Sequence, residues 1–165
     1  TESELAAQGW TSHQMAYDTR ALLHYFRLMP DGRFLFGMRG GLRTSARADQ
    51  GVRRLIRRDF ERMFPAWSAV ETPFYWSGFV CFSRSLTPFA GSVPGHDGIF
   101  AAFAYHGNGV AMASYCGALL AEQVLGRKSL RHPKAILAQP TRFAGGRSRR
   151  LALWPAYLAY GLNDI

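Results

Sequence analysis

The sequence predicts an α+β fold in which helices pack against a mixed, largely antiparallel sheet. Three patterns favour it: a hairpin pattern around Pro30-Asp31-Gly32, a charged helical pattern over 46–64, and a helical pattern rich in small residues over 109–125. We expect the first helix on one side of the sheet and the second behind its last strand. With 165 residues, 48% apolar and 19% charged, the chain can bury a core, and its composition excludes disorder, coiled coil and collagen.

The hairpin pattern consists of two apolar runs, 21–29 and 33–37, on either side of Pro30-Asp31-Gly32. Proline presets φ and glycine tolerates positive φ, so this tripeptide favours a tight turn between two strands. Three glycines then predict a loop where the backbone could approach a ligand closely: Gly37, Gly40 and Gly41.

Residues 45–67 have the spacing of an amphipathic helix that Pro65 would end. Apolar residues recur at three- and four-residue steps and predict one buried stripe: Val52, Leu55, Ile56, Phe60, Met63 and Phe64. The basic side, Arg53–Arg62, favours a solvated face with i,i+4 charge pairs, although it could also contact nucleic acid.

The second half of the chain predicts a strand over 70–83, a short strand over 98–104, and a helix from about 110 to 125. Gly78 inside the first strand indicates a bulge or a close backbone contact, and Gly126 is placed to end the helix. Beyond it the chain is basic and interrupted by proline, and it closes on an amphipathic segment over 151–162.

The chain is strongly basic, with a formal net charge of +9 and a sequence pI of about 10.3. Such an excess of positive charge suits binding to nucleic acid, an anionic membrane or an acidic partner. It is explained equally well by a high arginine usage that follows from genome composition. Cys81 and Cys116 stand far apart without paired histidines, which argues against zinc and for reduced thiols in the cytoplasm. We expect Cys81 to be a buried thiol. We expect no membrane span and no targeting leader, and a chain opening Thr1-Glu2-Ser3-Glu4 looks like part of a longer protein.

The segment Gly107-Asn108-Gly109-Val110 stands between the last predicted strand and the long helix. Two glycines at a helix start leave backbone N–H groups and the positive end of the helix dipole open to a negative group. The pattern is of low specificity, because it lacks the third glycine and the downstream acidic residue of a dinucleotide fingerprint.

Short motifs run in order through residues 17–126: Tyr17-Asp18-Thr19-Arg20, Tyr25-Phe26-Arg27-Leu28, Asp31-Gly32-Arg33-Phe34-Leu35-Phe36-Gly37, Phe64-Pro65, Tyr75-Trp76-Ser77-Gly78, Leu86-Thr87-Pro88-Phe89-Ala90-Gly91, Ala104-Tyr105-His106-Gly107-Asn108-Gly109-Val110, Gly117-Ala118-Leu119-Leu120-Ala121-Glu122 and Gly126. This ordered set resembles the C-terminal part of the FAD-dependent D-amino-acid oxidase (DAO) family. Within the family it is most similar to γ-glutamylputrescine oxidoreductase-like members.

The resemblance implies that FAD is bound mainly by an N-terminal domain of a longer parent protein. Residues 17–126 would supply part of the substrate-domain sheet and the helix that closes over the flavin, with 1–16 as a connecting segment and 127–165 as a basic tail. Gly107, Asn108, Gly109 and Val110 would then contact the cofactor. The family often has histidine where Asn108 stands, so a role for histidine at that point is in doubt.

The resemblance further implies a small amine or amino-acid substrate. Members that oxidise α-amino acids often carry an arginine clamp after the Trp-x-Gly strand, where this chain has Phe79, Val80 and Cys81. We therefore expect an amine without a nearby carboxylate, or a different clamp. Candidate lining residues are Arg39, Trp76, Tyr105 and His106, and the sequence identifies neither a catalytic residue nor a metal site.

The favoured function is thus the C-terminal fragment of a flavin-dependent amine or amino-acid oxidoreductase. Alone, the fragment is expected to retain no FAD, to be inactive, and to self-associate through apolar surface that its parent covers. The alternatives are a basic module that binds nucleic acid or an acidic partner, and a degenerate domain with a structural role only.

Overall fold

The computed structural model describes residues 1–43, 45–146, 148, 151 and 153–163. The chain forms two compact units, one containing Thr1–Ser77 with the described C-terminal residues and the other beginning at Gly78. Helices and antiparallel strands occur in both halves of the sequence, which confirms the predicted α+β class. The described strands form two antiparallel sheets, one of three strands and one of two, instead of a single sheet.

The first unit is built from a short helix, a three-stranded sheet and a long helix. The sheet order is β1-β2-β3, and all neighbours are antiparallel. The elements are α1 (Glu2–Gln8), β1 (Ala16–Tyr17), β2 (His24–Leu28), β3 (Phe34–Met38) and α2 (Ala46–Met63), followed by a 3₁₀ turn (Pro65–Trp67). The predicted connecting segment over 1–16 therefore contains a helix of its own.

The predicted hairpin is confirmed as the β2–β3 pair, in which Phe26 faces Phe36. Its turn is closed by the Met29 N–H, which donates to the Arg33 carbonyl at 2.8 Å, and Gly32 has a φ of +80°. A left-handed φ of this kind is the conformation that glycine adopts without a steric penalty.

Aromatic residues form the core of the first unit. Phe26, Phe64 and Trp67 are buried, and Trp10 and Phe34 pack against them. Most of the rings meet edge to face, as in the Phe34–Trp67 pair with centroids 4.7 Å apart. Each such pair contributes about 0.5–1.5 kcal/mol beyond the burial of its surface, so the hairpin and the end of α2 are held mainly by aromatic packing.

Helix α2 begins where the sequence predicts and ends slightly earlier. Ser45 is its N-cap, with Oγ accepting from the Ala48 N–H at 3.2 Å. The helix ends at Met63, because Pro65 cannot donate a backbone hydrogen bond, and residues 65–67 form a 3₁₀ turn instead.

The strand predicted over 70–83 is wrong, because these residues form no strand in the structure. An extended segment takes its place, and its aromatic residues are exposed: Phe74, Trp76, Phe79 and Phe82. A strand requires a partner that pairs with its backbone groups. Here the guanidinium of Arg57 occupies the carbonyls of Ser68 and Val70, at 2.5 and 2.6 Å.

The second unit contains one hairpin and two helices. Its elements are β4 (Phe89–Ser92), β5 (Phe100–Phe103), α3 (Gly109–Val124) and α4 (Lys134–Leu137). Strand β5 and helix α3 confirm two predicted elements, and α3 packs on both strands, as expected for the helix behind the last strand. The buried core is small and includes Ala90, Cys116, Leu119 and Ile136.

The last helix, α5 (Leu153–Asn163), belongs to the first unit and contains no charged residue. Its Tyr157 hydroxyl donates to the Gly40 carbonyl at 2.8 Å, while Leu158 and Leu162 are exposed. Within the described residues, none of the helices combines the length and the apolar character needed to cross a membrane.

Candidate functional site

The N-terminus of α3 exposes backbone donors that nothing in the described chain satisfies. The first intrahelical bond runs from the Met112 N–H to the Asn108 carbonyl at 2.9 Å. The amides of Gly109, Val110 and Ala111 have no acceptor among the described residues, and the Asn108 side chain does not cap them. These three N–H groups and the helix dipole form a positive end that favours an electron-rich group.

The segment that leads into α3 has an unusual backbone conformation. Ala104 has a φ of 64°, His106 of 54° and Gly107 of 97°. The left-handed region costs a residue with a Cβ of the order of 1–3 kcal/mol, and such positions cluster where the backbone is shaped for function. The turn is closed by the Asn108 N–H, which donates to the Tyr105 carbonyl at 2.9 Å.

His106 is tied to the loop that begins at Ser83. Its Nε2 accepts from the Ser83 backbone N–H at 3.1 Å, and its ring lies beside Phe82 with centroids 5.4 Å apart. A backbone N–H can only donate, so Nε2 carries the lone pair and Nδ1 carries the proton. His106 therefore supports the loop through Nε2, and that atom is not free to take a proton from a substrate.

Tyr105 stands between the core and the start of α3. Its ring packs on the buried cluster around Cys116, and a Cβ added at Gly109 would be 3.7 Å from it. Burial raises the pKa of the Tyr105 hydroxyl, and the nearby Cys116 thiol raises it further. The phenol is therefore neutral at ordinary pH and can act only as a hydrogen-bonding or packing group there.

The six predicted contacts from Tyr105 to Val110 lie together in one segment of the second unit. Val110 itself is 97% exposed. The other two candidates belong to the first unit: Arg39 directly follows β3 and is exposed, and Trp76 lies in the extended segment and is 70% exposed.

The first unit also contains a buried cluster of one histidine and two aspartates that was not predicted from the sequence. His24 Nδ1 lies 2.8 Å from Asp18 Oδ2, and His24 Nε2 lies 3.3 Å from Asp59 Oδ2. His24 is only 3% exposed and Asp59 only 5%. The alternation of β2 could have indicated this burial, because His24 shares a face with Phe26 and Leu28.

The two carboxyl groups of this cluster differ in the hydrogen bonds that they accept. Burial raises the pKa of Asp18, but hydrogen bonds from the His24 ring and amide and from the Arg20 amide outweigh it, so the pKa lies below its ordinary value. Asp59 Oδ1 accepts no hydrogen bond, although guanidinium groups of Arg58 and Arg62 lie 3.6 and 3.4 Å away.

The basic side of α2 is partly committed to partners inside the first unit. Arg57 donates to Glu61 at 2.7 Å, and Arg53 lies over the Tyr75 ring at 5.4 Å. Together with the placement of Arg58 and Arg62 beside Asp59, these contacts favour intramolecular pairing over a nucleic-acid surface.

The two cysteines are free thiols in different surroundings. Cys116 is fully buried and burial raises its pKa, whereas Cys81, which the sequence analysis expected to be buried, is exposed. The prediction that Cys81 is buried is wrong for the same reason as the strand predicted over 70–83. These residues form no strand, so no sheet among the described residues covers the Cys81 side chain. Among the described residues there is no group of three potential metal ligands.

Comparison with known proteins relates the chain to flavoproteins. A family model described as "FAD dependent oxidoreductase" (DAO) matches residues 2–123. A protein named "Probable oxidoreductase OrdL" from Rhizobium meliloti (strain 1021) is 33% identical over 89% of this chain and 33% of its own length. "Gamma-glutamylputrescine oxidoreductase" from Escherichia coli (strain K12) is 32% identical over 89% of this chain and 34% of its own length.

A second protein named "Probable oxidoreductase OrdL", from Haemophilus influenzae, is 30% identical over 66% of this chain and 23% of its own length. The chain thus spans about a third, or less, of the length of the curated relatives it matches. No solved structure matches the chain significantly.

Proposed function

Since the chain belongs to the family of FAD-dependent oxidoreductases, we propose that it is the C-terminal part of an enzyme that oxidises a C–N bond of an amine or amino acid. The name of the Escherichia coli relative, which describes a substituted amine, supports this substrate class. The parent enzyme would be cytoplasmic, and the free thiols of Cys81 and Cys116 suit that compartment.

The observation that carries the proposal is the set of open amides at Gly109, Val110 and Ala111. When FAD is bound, the chemistry it supplies is acceptance of a hydride from the carbon next to the substrate nitrogen. Backbone donors fixed in advance beside the cofactor would stabilise the negative charge that this reaction produces, without reorganisation. Gly107, Asn108, Gly109 and Val110 would hold the edge of the cofactor where this charge develops.

The remaining candidates have supporting roles in the proposal. Tyr105, a neutral phenol beside the open amides, would pack against the substrate or cofactor. His106 would keep the segment in shape through its bond with Ser83. Arg39 and Trp76 would contribute to a substrate site that the 165-residue chain does not complete on its own.

We expect the isolated chain to retain no stoichiometric FAD and to show no turnover, because it corresponds to only about a third of its relatives. The complete product of the gene that contains this sequence should purify with bound flavin, visible in its absorption spectrum. It should also be reduced by amines in the absence of oxygen. Absence of flavin from that complete product would overturn the proposal.

The substitution Val110→Pro tests the amides directly. Proline in the first turn of a helix removes an N–H that has no intrahelical acceptor. Circular dichroism of the variant checks that the helix is kept, because proline also restricts the residue before it. The Val110 side chain is 97% exposed, so its loss removes little packing. Val110→Ala, which retains the N–H, is the matched control.

In the complete flavoprotein, Val110→Pro should shift the flavin potential to more negative values and slow reduction by roughly a hundredfold to a thousandfold, the effect of losing one donor of this kind. Val110→Ala should resemble the parent. Equal potentials and reduction rates in the two variants would exclude the amide as a contact.

A further inference from the structure

The C-terminal end of α3 adjoins a groove of about 490 Å³ that the proposed function does not use. Three basic side chains line it, those of Arg127, Lys128 and His132, and Phe100 and Leu137 provide apolar surface. Helix α3 is 16 residues long, so this groove lies at the end opposite to the open amides.

The wall of the groove is shaped by the way in which α3 ends. Gly126, with a φ of 65°, donates its N–H to the Gln123 carbonyl at 3.3 Å, and the Arg127 N–H donates to the Glu122 carbonyl at 2.8 Å. This pair of bonds is a Schellman motif. It reverses the chain at the helix end and brings Arg127 and Lys128 to the groove.

Glu122 holds the following residues in place. Its carboxylate is buried and accepts from the amides of Ser129 and Leu130, from the Ser129 hydroxyl, and from His132 Nε2 at 2.8 Å. An ionised carboxylate only accepts, so His132 Nε2 carries a proton. The buried carboxylate of Glu122 thus anchors the basic loop. Its oxygens already accept the hydrogen bonds of this loop.

The two long cations of the groove have no such partner. Among the residues the structure describes, no carboxylate lies within 4.0 Å of Arg127 or Lys128, whereas several other arginines form ion pairs. The sequence contains no acidic residue between Gln123 and Asn163. A site with two unpaired cations and a third basic group close by has the charge to match a dianion.

The groove also presents hydrogen-bond acceptors. The Gln139 amide nitrogen donates to the Ser92 carbonyl at 3.0 Å, and the Gln123 amide nitrogen donates to the Ala90 carbonyl at 3.4 Å. With their nitrogens engaged, both side chains keep their amide oxygens as acceptors. Cations, acceptors and the Phe100 surface together fit an organic molecule that carries an anionic group, rather than an inorganic ion alone.

We propose that this groove binds a phosphate monoester, with the phosphate on Arg127 and Lys128 and the organic part against Phe100 and Leu137. Phosphate is favoured over a carboxylate because a dianion matches the two unpaired cations. Arginine can bond two phosphate oxygens at once, and lysine acts as a point charge.

The test is titration of the isotope-labelled 165-residue chain with phenyl phosphate, followed by NMR. Inorganic phosphate and benzoate are the comparison ligands. We expect saturable shifts of the Gly91, Ser92 and Gly126 amides, with phenyl phosphate binding more tightly than either comparison ligand. The double variant Arg127→Ala/Lys128→Ala should weaken phenyl phosphate binding at least about tenfold, that is by about 1.4 kcal/mol.

The matched control is Arg47→Ala/Arg54→Ala, which removes the same charge from exposed positions on α2. This control should bind phenyl phosphate like the parent chain. Equal weakening in both double variants would mean that only the overall charge attracts the ligand, and would overturn the proposal. Shifts that do not saturate, or benzoate binding as tightly as phenyl phosphate, would overturn it too. Far-UV circular dichroism of each variant verifies that the chain remains folded.

Discussion

His24 Nδ1 lies 2.8 Å from Asp18 Oδ2 in the interior of the first unit, and the second ring nitrogen faces Asp59 Oδ2 at 3.3 Å. Ionised carboxylates offer no proton, so both contacts are hydrogen bonds only when both ring nitrogens carry one. The ring also stacks on Phe36, with centroids 5.4 Å apart. His24 therefore joins β2 to α2 through contacts of its two ring nitrogens with Asp18 and Asp59.

Replacement of His24 by alanine is expected to destabilise the chain by about 3 kcal/mol. The substitution leaves the carboxyl groups of Asp18 and Asp59 without the ring that contacts both of them, and loss of one partner from a buried polar pair of this kind costs about 3–5 kcal/mol. Urea unfolding at neutral pH, followed by circular dichroism, measures the difference. His13→Ala, at an exposed position of the same unit, should unfold within about 0.5 kcal/mol of the parent. Similar values for the two variants would contradict the ionic role of His24.

Gly37 leaves room for the side chain of its neighbour across the hairpin. It lies opposite Tyr25 in the β2–β3 pair, and a Cβ at this position would stand 2.3 Å from the Tyr25 ring. The glycine predicted to begin a ligand-approach loop thus lies within β3, under an aromatic side chain.

Gly37→Ala should therefore lower the free energy of unfolding by about 1–2 kcal/mol, because the Tyr25 ring has to move out of a favourable position. In a Tyr25→Ala background the same substitution should cost almost nothing. A double-mutant cycle by urea unfolding gives the coupling. Additive effects of the two substitutions would show that the ring and the glycine do not interact.

Arg57 holds the chain that follows α2. Its guanidinium donates to the Ser68 and Val70 carbonyls at 2.5 and 2.6 Å and to the Thr72 hydroxyl at 2.8 Å. Arg57→Ala should cost about 2 kcal/mol, since it leaves these acceptors without their charged donor.

Arg57→Ala should also increase proteolysis within residues 68–77, where the anchor is lost. Arg54→Ala, on the exposed side of the same helix, removes the same charge and serves as the control. If limited proteolysis and urea unfolding give the same result for both variants, Arg57 does not anchor this segment.

Glu122 is expected to make the stability of the second unit depend on pH. Hydrogen bonds from His132, then Ser129 and then the Leu130 amide lower the pKa of Glu122 from 4.5 to about 2. A carboxyl group whose pKa is lower in the folded state stabilises the fold at pH values above the unfolded pKa. This stabilisation is lost as the pH falls from about 4.5 through about 2.

The urea midpoint of the parent chain should decrease over this acid range by more than that of Glu122→Gln, which lacks the titrating group. Glu71→Gln, at an exposed position, should follow the parent. Parallel pH profiles for the parent and Glu122→Gln would refute the link between Glu122 and acid stability.

Local sequence patterns identified the elements whose partners are close in the chain. Pro30-Asp31-Gly32 specifies its own turn, and Ser45 and Pro65 delimit α2 by capping and by the missing N–H. The same holds for the glycines before α3 and for Gly126 after it. Each of these signals depends on the conformational preference of one or a few residues, so no distant contact is needed to recognise it.

Predictions about segments whose structure depends on distant partners were wrong. The aromatic run over 70–83 has the composition of a strand, but no strand among the described residues pairs with it. Arg57 donates to the carbonyl of its first residue, Val70, and to that of Ser68 just before it. The exposure of Cys81 follows from the same error. The positions of the predicted cofactor and substrate contacts within a complete site stay a prediction.

By itself, the sequence determined the α+β class, the hairpin, both long helices and membership of a flavoprotein family, because these depend on periodicity, on turn and cap residues, and on ordered motifs. The tertiary structure decided which charges are buried and paired. His24 meets Asp18 and Asp59, and Glu122 meets His132, only after the chain has folded. A buried charge requires a partner at hydrogen-bond distance, and that distance is a property of packing rather than of spacing along the chain.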